Sequence, residues 1–227
     1  MTLTILLLAL VLPLAPQEQA VDMTTYQMVF LTKGPNYEAV SKSADAQKLQ
    51  QAHLAGLIAL NEKRVNLLFG PLLDNSDLRG IVVLDVPNAD AAAKALADDP
   101  YVKAGAMTVT VRPWFGPKNF FNRPVEGQQL EQLVLGFLVR GSNTSLSGEA
   151  AAEIQKGHLA YMAQLHDQGK LLVAGPFMDD TPTRGIVIYR VGTVDEAKAL
   201  AADDPAVKAG RLVLDAHPWM TFKGILR

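Results

Sequence analysis

Residues 28–32 and 133–140 are short apolar runs of β-forming character, each closing on a basic residue and a glycine, Lys33-Gly34 and Arg140-Gly141. A polar, alanine-rich stretch follows each. In it the apolar positions recur at helical spacing: Leu49, His53, Leu57 and Leu60 in one, Ile154, His158, Met162 and Leu165 in the other. Gly169 is placed to end the second of these helices as its left-handed C′ residue. Apolar strands then run over 65–69 and 171–174 and stop at Gly-Pro. Third strands start after Arg-Gly, over 81–86 and 186–191. An alanine-rich helix covers about 90–97 in the first case and 195–202 in the second, and a fourth strand ends at Pro-Trp. The pattern predicts the order βαββαβ, twice.

The two series are copies. His53 and His158 stand 105 residues apart, and the same offset joins Gly70-Pro71 to Gly175-Pro176 and Asp74 to Asp179. It also joins Arg79-Gly80 to Arg184-Gly185, Asp98-Asp99-Pro100 to Asp203-Asp204-Pro205, and Pro113-Trp114 to Pro218-Trp219. Roughly two positions in five are identical over this ungapped stretch, far above chance for unrelated segments. Upstream the offset is 107, so two residues differ near the start of the first helix.

A βαββαβ unit is the split βαβ of the ferredoxin-like fold. With both helices on one face, the other face of its sheet must be buried against something, and a second copy supplies the cover. The fold class expected is therefore α+β: tandem ferredoxin-like units packed sheet to sheet as an intramolecular dimeric α/β barrel. The units are read as residues 23–122 and 123–227. The segment 115–129 has a basic, aromatic look, but Lys118 corresponds to Lys223 and Phe120-Phe121 to Ile225-Leu226, so it reads as a repeated structural tail.

Residues 1–22 form a separate leader. The apolar run from Leu3 to Leu14 is too short to span a bilayer, which takes roughly 20 residues, and resembles the core of a secretory signal. It lacks a basic n-region, and its cleavage options around Ala15 and Ala20 are imperfect. Export to a periplasmic or extracellular space is the expectation. A cytoplasmic protein started at Met23 is the alternative.

Composition narrows the chemistry. A formal net charge of −2 gives no bulk attraction to nucleic acid or an anionic membrane. The absence of cysteine removes disulfides, thiolate metal sites and a cysteine nucleophile. There is no Gly-x-Gly-x-x-Gly, Walker loop, Gly-x-Ser-x-Gly elbow or His-Glu-x-x-His. The four histidines lack short metal-ligand spacing, so no metal or cofactor is expected. Asn143-Thr144-Ser145 matches a glycosylation sequon, a match frequent by chance.

The candidates for chemistry are the repeated polar residues. His53 and His158 lie on the apolar stripes of their helices, where an ionisable ring is either a satisfied core residue or faces a pocket. Asp99 and Asp204 precede proline at a helix start. Each is either an N-cap to a short helix ending in glycine or a carboxylate that orients the histidine. Arg79 and Arg184 either grip a substrate carboxylate or are solvated hairpin residues. Asp74 and Asp179 read as turn-shaping residues. Trp114 and Trp219 either line a pocket or anchor a core or interface.

The helix histidine with Leu-x-x-Leu spacing, the strand ending in Gly-Pro, and Asp-Pro-Tyr-Val-Lys-Ala-Gly before a strand ending in Pro-Trp resemble the YCII-related domain of the dimeric α/β barrel group. The resemblance covers about 25–118 and 130–223. It implies a ferredoxin-like fold and an active site built from the helix histidine and the Asp of Asp-Pro, here His53 with Asp99 and His158 with Asp204. One branch of the family resembles dehydrochlorinases acting on chlorinated hydroxyquinones. Phe69 against Ala174, and Tyr101 against Ala206, imply that the two pockets are not identical, and loss of function in one of them is an open alternative.

Two functions remain open at this stage. One is a cofactor-free small-molecule enzyme, a lyase, isomerase or hydrolase, with His as general acid/base and Asp orienting it. The other is a non-catalytic exported protein holding a small apolar ligand inside the barrel. Either way the expected partners are a small molecule and the other half of the chain, not nucleic acid and not a bilayer.

Overall fold

The computed structural model describes residues 22–124 and 127–227; all of the expected leader except Asp22 lies outside them. The first unit comprises β1 (Met23–Lys33), α1 (Tyr37–Ser41), α2 (Ala46–Glu62), β2 (Asn66–Pro71), β3 (Leu78–Leu84), α3 (Ala89–Leu96), α4 (Pro100–Lys103) and β4 (Met107–Pro117). The second comprises β5 (Leu130–Arg140), α5 (Gly148–Asp167), β6 (Leu171–Pro176), β7 (Thr183–Tyr189), α6 (Val194–Ala202), α7 (Pro205–Lys208) and β8 (Leu212–Phe222). Each unit folds into a four-stranded antiparallel sheet, in the order β2-β3-β1-β4 and β6-β7-β5-β8. These are the two expected ferredoxin-like βαββαβ units.

Strands β2, β3, β5 and β7 are buried along most of their length and read as apolar runs, whereas β4 and β8 alternate exposed with partly buried positions over their first halves. Along β3, Ile81 and Val83 point into a core shared by the two sheets, while Val82 and Leu84 pack under the helices of their own unit. The shared core is built from side chains of both units, among them Met28, Leu68, Trp114, Leu135, Ile186 and Trp219.

Gly-Pro was expected to end a strand, and β2 and β6 end at Pro71 and Pro176; Pro-Trp was expected to end one too, but it lies inside the fourth strand of each unit. β4 runs on through Pro113-Trp114 to Pro117, paired with the start of β1 (Met23↔Pro117), and β8 does the same against β5 (Leu130↔Phe222). The extensions exist because each fourth strand crosses onto the other unit. Backbone bonds Leu73 N–H to Pro218 C=O (2.8 Å) and Met178 N–H to Pro113 C=O (2.9 Å) form two related seams. At each seam an indole spans the gap: Trp219 Nε1–H donates to the Gly70 carbonyl at 2.9 Å and Trp114 Nε1–H to the Gly175 carbonyl at 3.0 Å. Glycine is required at both positions, because a Cβ on Gly70 would collide with the Met220 carbonyl and one on Gly175 with the Phe115 carbonyl. The Gly-Pro of the sequence is therefore a close-approach signal. The repeated tails also pair with each other, Phe121 bridging to Leu226.

Candidate functional site

Each Asp-Pro motif does both of the things the sequence left open. Asp99 caps α4, its Oδ1 accepting from the N–H of Tyr101 (2.9 Å) and Val102 (3.3 Å). Its other oxygen, Oδ2, lies 2.5 Å from Nδ1 of His53 on α2. In the second unit Asp204 Oδ1 accepts from Ala206 N–H at 2.8 Å, and Oδ2 lies 2.7 Å from Nδ1 of His158 on α5. The cap fixes the carboxylate, and the carboxylate fixes the ring. An ionised carboxylate only accepts, so Nδ1 carries the hydrogen and Nε2 is left as the basic nitrogen of the neutral ring.

Each histidine also lines a cavity, walled by the long helix of its unit and by strands of both units. The first-unit cavity, about 500 Å³, is lined by His53 and Arg79, with Phe69 and Tyr101 among its walls. Tyr101 lies beside the imidazole, ring centroids 5.2 Å apart, and its hydroxyl donates to Gln50 Oε1 at 2.9 Å. The second-unit cavity is about 930 Å³ and is lined by His158 and Arg184. Its matching wall residues are Ala174 and Ala206. Two large-to-small differences thus lie in the wall of the larger cavity. Each cavity is closed in part by the other unit: Met220, Thr221 and Phe222 at the small one, Met23, Pro117 and Phe120 at the large one.

Of the expected site residues, His53, Asp99 and Arg79 therefore gather at one cavity, and His158, Asp204 and Arg184 at the other. Arg79 Nη1 also bonds the carbonyls of Asp74 (2.7 Å) and Ser76, and Arg184 Nη1 bonds Asp180 at 3.0 Å. Trp114 and Trp219 line neither cavity; both are fully buried seam anchors.

Several residues escaped the sequence reading. Asp74 and Asp179 do brace their turns, Asp74 accepting from Ser76, but each also crosses a seam. Asp179 takes a bidentate grip from Arg112, Nε at 2.7 Å and Nη2 at 2.6 Å, and Asp74 lies 2.6 Å from His217 Nδ1. Arg112's hydrogen bond, ahead of burial, holds the Asp179 carboxyl below the usual range. Burial pushes Asp74 up, but hydrogen bonds from Ser76 and His217 outweigh it and leave the group lowered. The signal was present in the repeat: Arg112 and His217 are themselves 105 apart, each just before Pro-Trp. His166 was also missed. It lines the large cavity, with Nδ1 on the Leu171 carbonyl at 3.1 Å, and its counterpart in the first unit is Asn61.

Two ferredoxin-like units closed against each other, each with a carboxylate-anchored histidine at a cavity, define a dimeric α/β barrel built within one chain. The sequence profile of the YCII-related domain matches residues 26–115 and again 136–216. The chain belongs to the YCII-related family and carries two copies of its domain. No functionally curated protein matches it in sequence. Among solved structures it is similar to a chlorite dismutase from Candidatus Nitrospira defluvii (TM-score 0.57, 9% identity, covering 87% of this chain and 90% of that one). It is also similar to a haem-binding protein from Thermus thermophilus (0.54, 10%, 90% and 93%) and to a candidate monooxygenase from Lactobacillus acidophilus (0.52, 13%, 89% and 98%). At such identities the likeness is one of fold. Among the described residues no helix is long and apolar enough to cross a membrane, and no cluster of three or more His, Asp or Glu is placed to hold a metal ion.

Proposed function

We propose that the chain is a small-molecule enzyme in which His158, oriented by Asp204, moves a proton as general acid and base, with His53 and Asp99 as a second, more restricted copy. The observation that carries this reading is the hydrogen-bond pattern: Nδ1 tied to a capped carboxylate leaves Nε2 to the cavity. Positioned proton transfer of this kind contributes about 10²–10⁴-fold to a rate. It serves a lyase, an isomerase or a hydrolase equally, and the residues present need no further group to perform it. The leader's pattern supports export, which cell fractionation of the full chain tests.

The first experiment is a screen of hydroxylated aromatics and small lactones against the chain and its variants. Asp204→Asn should lower turnover of an identified substrate by about 10²–10⁴-fold, because the amide leaves the imidazole in the wrong tautomer. Full turnover by a His53→Ala/His158→Ala chain would overturn the acid/base assignment.

A second reading rests on the same histidine. An imidazole anchored through Nδ1 to a carboxylate is also suited to hold a metal, and the large cavity, lined by His158 and three arginines, would have room for a haem and cations for its propionates. His158 would be the ligand, and the group would supply electron-transfer or oxygen chemistry at iron. Haemin titration separates the readings: a Soret shift that His158→Ala removes favours this one, and an unshifted spectrum favours the first.

A further inference from the structure

The large cavity differs from the small one in charge as well as size. Among the described residues three guanidinium groups line it, Arg140, Arg184 and Arg211, and no Asp or Glu does. The small cavity has Arg79 as its one described cation. Arg140 and Arg184 share one carboxylate, Asp180 Oδ1, at 2.9 and 3.0 Å; that side chain is 88% exposed. A solvated carboxylate neutralises little. Arg211 meets no carboxylate among the described residues; its Nη1 donates to the Ala151 carbonyl at 3.0 Å. Its counterpart in the first unit is Ala106, and that of Arg140 is Lys33, which is not among the residues of the small cavity. In a chain of net charge −2, cation has been gathered at one pocket.

The remaining walls of that pocket are largely apolar, including Leu138, Leu159, Met162 and Leu172. We propose that the second-unit cavity binds a flat apolar acid, a fused ring system bearing a carboxylate, with Arg211 and Arg184 holding the anion and the ring on the apolar wall. Ala174 and Ala206 admit the ring. Phe69 and Tyr101 exclude it from the first unit, whose pocket is left for smaller, less charged molecules. The inference names the substrate class of the His158 site and rests on the proposed function for turnover, though not for binding. Free aromatic acids and porphyrin propionates share this chemistry, and the haemin titration tells them apart.

Calorimetric titration with 2-naphthoate and its neutral analogue 2-naphthylmethanol tests it. Naphthoate should bind at one site per chain, about tenfold or more tighter than the alcohol, as expected for a charge-assisted contact. Arg211→Gln should close that gap, and Arg211→Lys should keep most of it. Ala174→Phe should abolish naphthoate binding; Ala206→Tyr is the second variant if the first does not fold, as judged by its unfolding midpoint. Equal affinities for acid and alcohol, no binding of either, or unaltered binding by the filled-cavity variant would each overturn the proposal. The failure of the catalytic reading looks different. A His53→Asn/His158→Asn chain that binds naphthoate and still turns over an identified substrate removes the acid/base role and leaves the binding inference standing. Turnover of a neutral substrate with no naphthoate binding removes the inference alone.

Discussion

The two halves of the chain keep the same dyad and surround it differently. In the first unit Tyr101 lies against the His53 ring and Phe69 fills the wall behind it, leaving about 500 Å³. In the second, alanines at both positions open about 930 Å³, and two further arginines and His166 join the wall. Residues that set the capped carboxylate and the ring are held in common, while residues that decide what fits beside them are not. Duplication within one chain allows this, since either site can drift while the other half keeps the barrel closed. A homodimer of single units would carry every change into both pockets.

The comparison breaks most visibly at the seams, which both sites share. Gly70→Ala and Gly175→Ala each place a methyl group against a carbonyl oxygen of the other unit and push the Trp indole off its acceptor. Overpacking and an unmade buried hydrogen bond together should cost about 3–5 kcal/mol. Chemical denaturation checks this, and equal losses for the two variants are expected because the seams are related. A loss below about 1 kcal/mol in either would mean that the strands can part there cheaply, and the seam would not be what holds the halves together.

The strand and helix order, the repeat and the dyad residues were legible in the sequence, because periodicity and an ungapped register carry them. The seams were not. Gly-Pro does end its strand, but only the second copy of the chain shows why a glycine must stand there; Pro-Trp looks locally like a strand end, and only the second copy shows why β4 continues through it. Asp99 was legible as a cap or as a partner of His53 but not as both, since local sequence cannot show that one carboxylate has an oxygen for each. The size of the cavities lay beyond reach for a similar reason: it depends on how side chains of both units pack around the histidines. Arg112 with Asp179, and His217 with Asp74, were each visible as repeated positions, yet their pairing crosses from one unit to the other.

Those two pairs sharpen the comparison at a smaller energy. Both carboxyls are lowered in the folded protein, so each contributes stability that is present above the unfolded carboxylate pKa of about 3.9 and lost as pH falls through its folded value. Asp179→Asn should therefore cost about 1–2 kcal/mol at pH 7, an estimate reduced for partial exposure. Asp74→Asn should cost less, because His217 offers one contact where Arg112 offers two. Both deficits should shrink as the pH is taken below about 4, where the carboxylates of the unfolded chain begin to protonate. Unfolding free energies measured from about pH 7 down to about pH 3 provide the check. A deficit that stayed constant over that range would show that the pairs contribute packing rather than charge.

The smallest expected effect lies where the long helices end. Gly169 follows α5 in the left-handed region (φ 68°), and its counterpart after α2 is Arg64, a non-glycine residue in the same region (φ 59°). Nothing lies within 4 Å of a Cβ added to Gly169, so Gly169→Ala isolates the backbone penalty, about 1 kcal/mol. Arg64 carries that penalty already, but its Nη2 donates to the Phe121 carbonyl at 3.3 Å, tying the helix end to the tail that bridges to the other unit. Such a bond contributes about 0.5–1.5 kcal/mol. Arg64→Gly should then relieve the strain and lose the tie, leaving stability within about 0.5 kcal/mol of wild type. A gain of the full penalty in denaturation experiments would show that the Arg64–Phe121 bond contributes nothing. The first unit would then keep its arginine without any return in stability, where the second uses glycine.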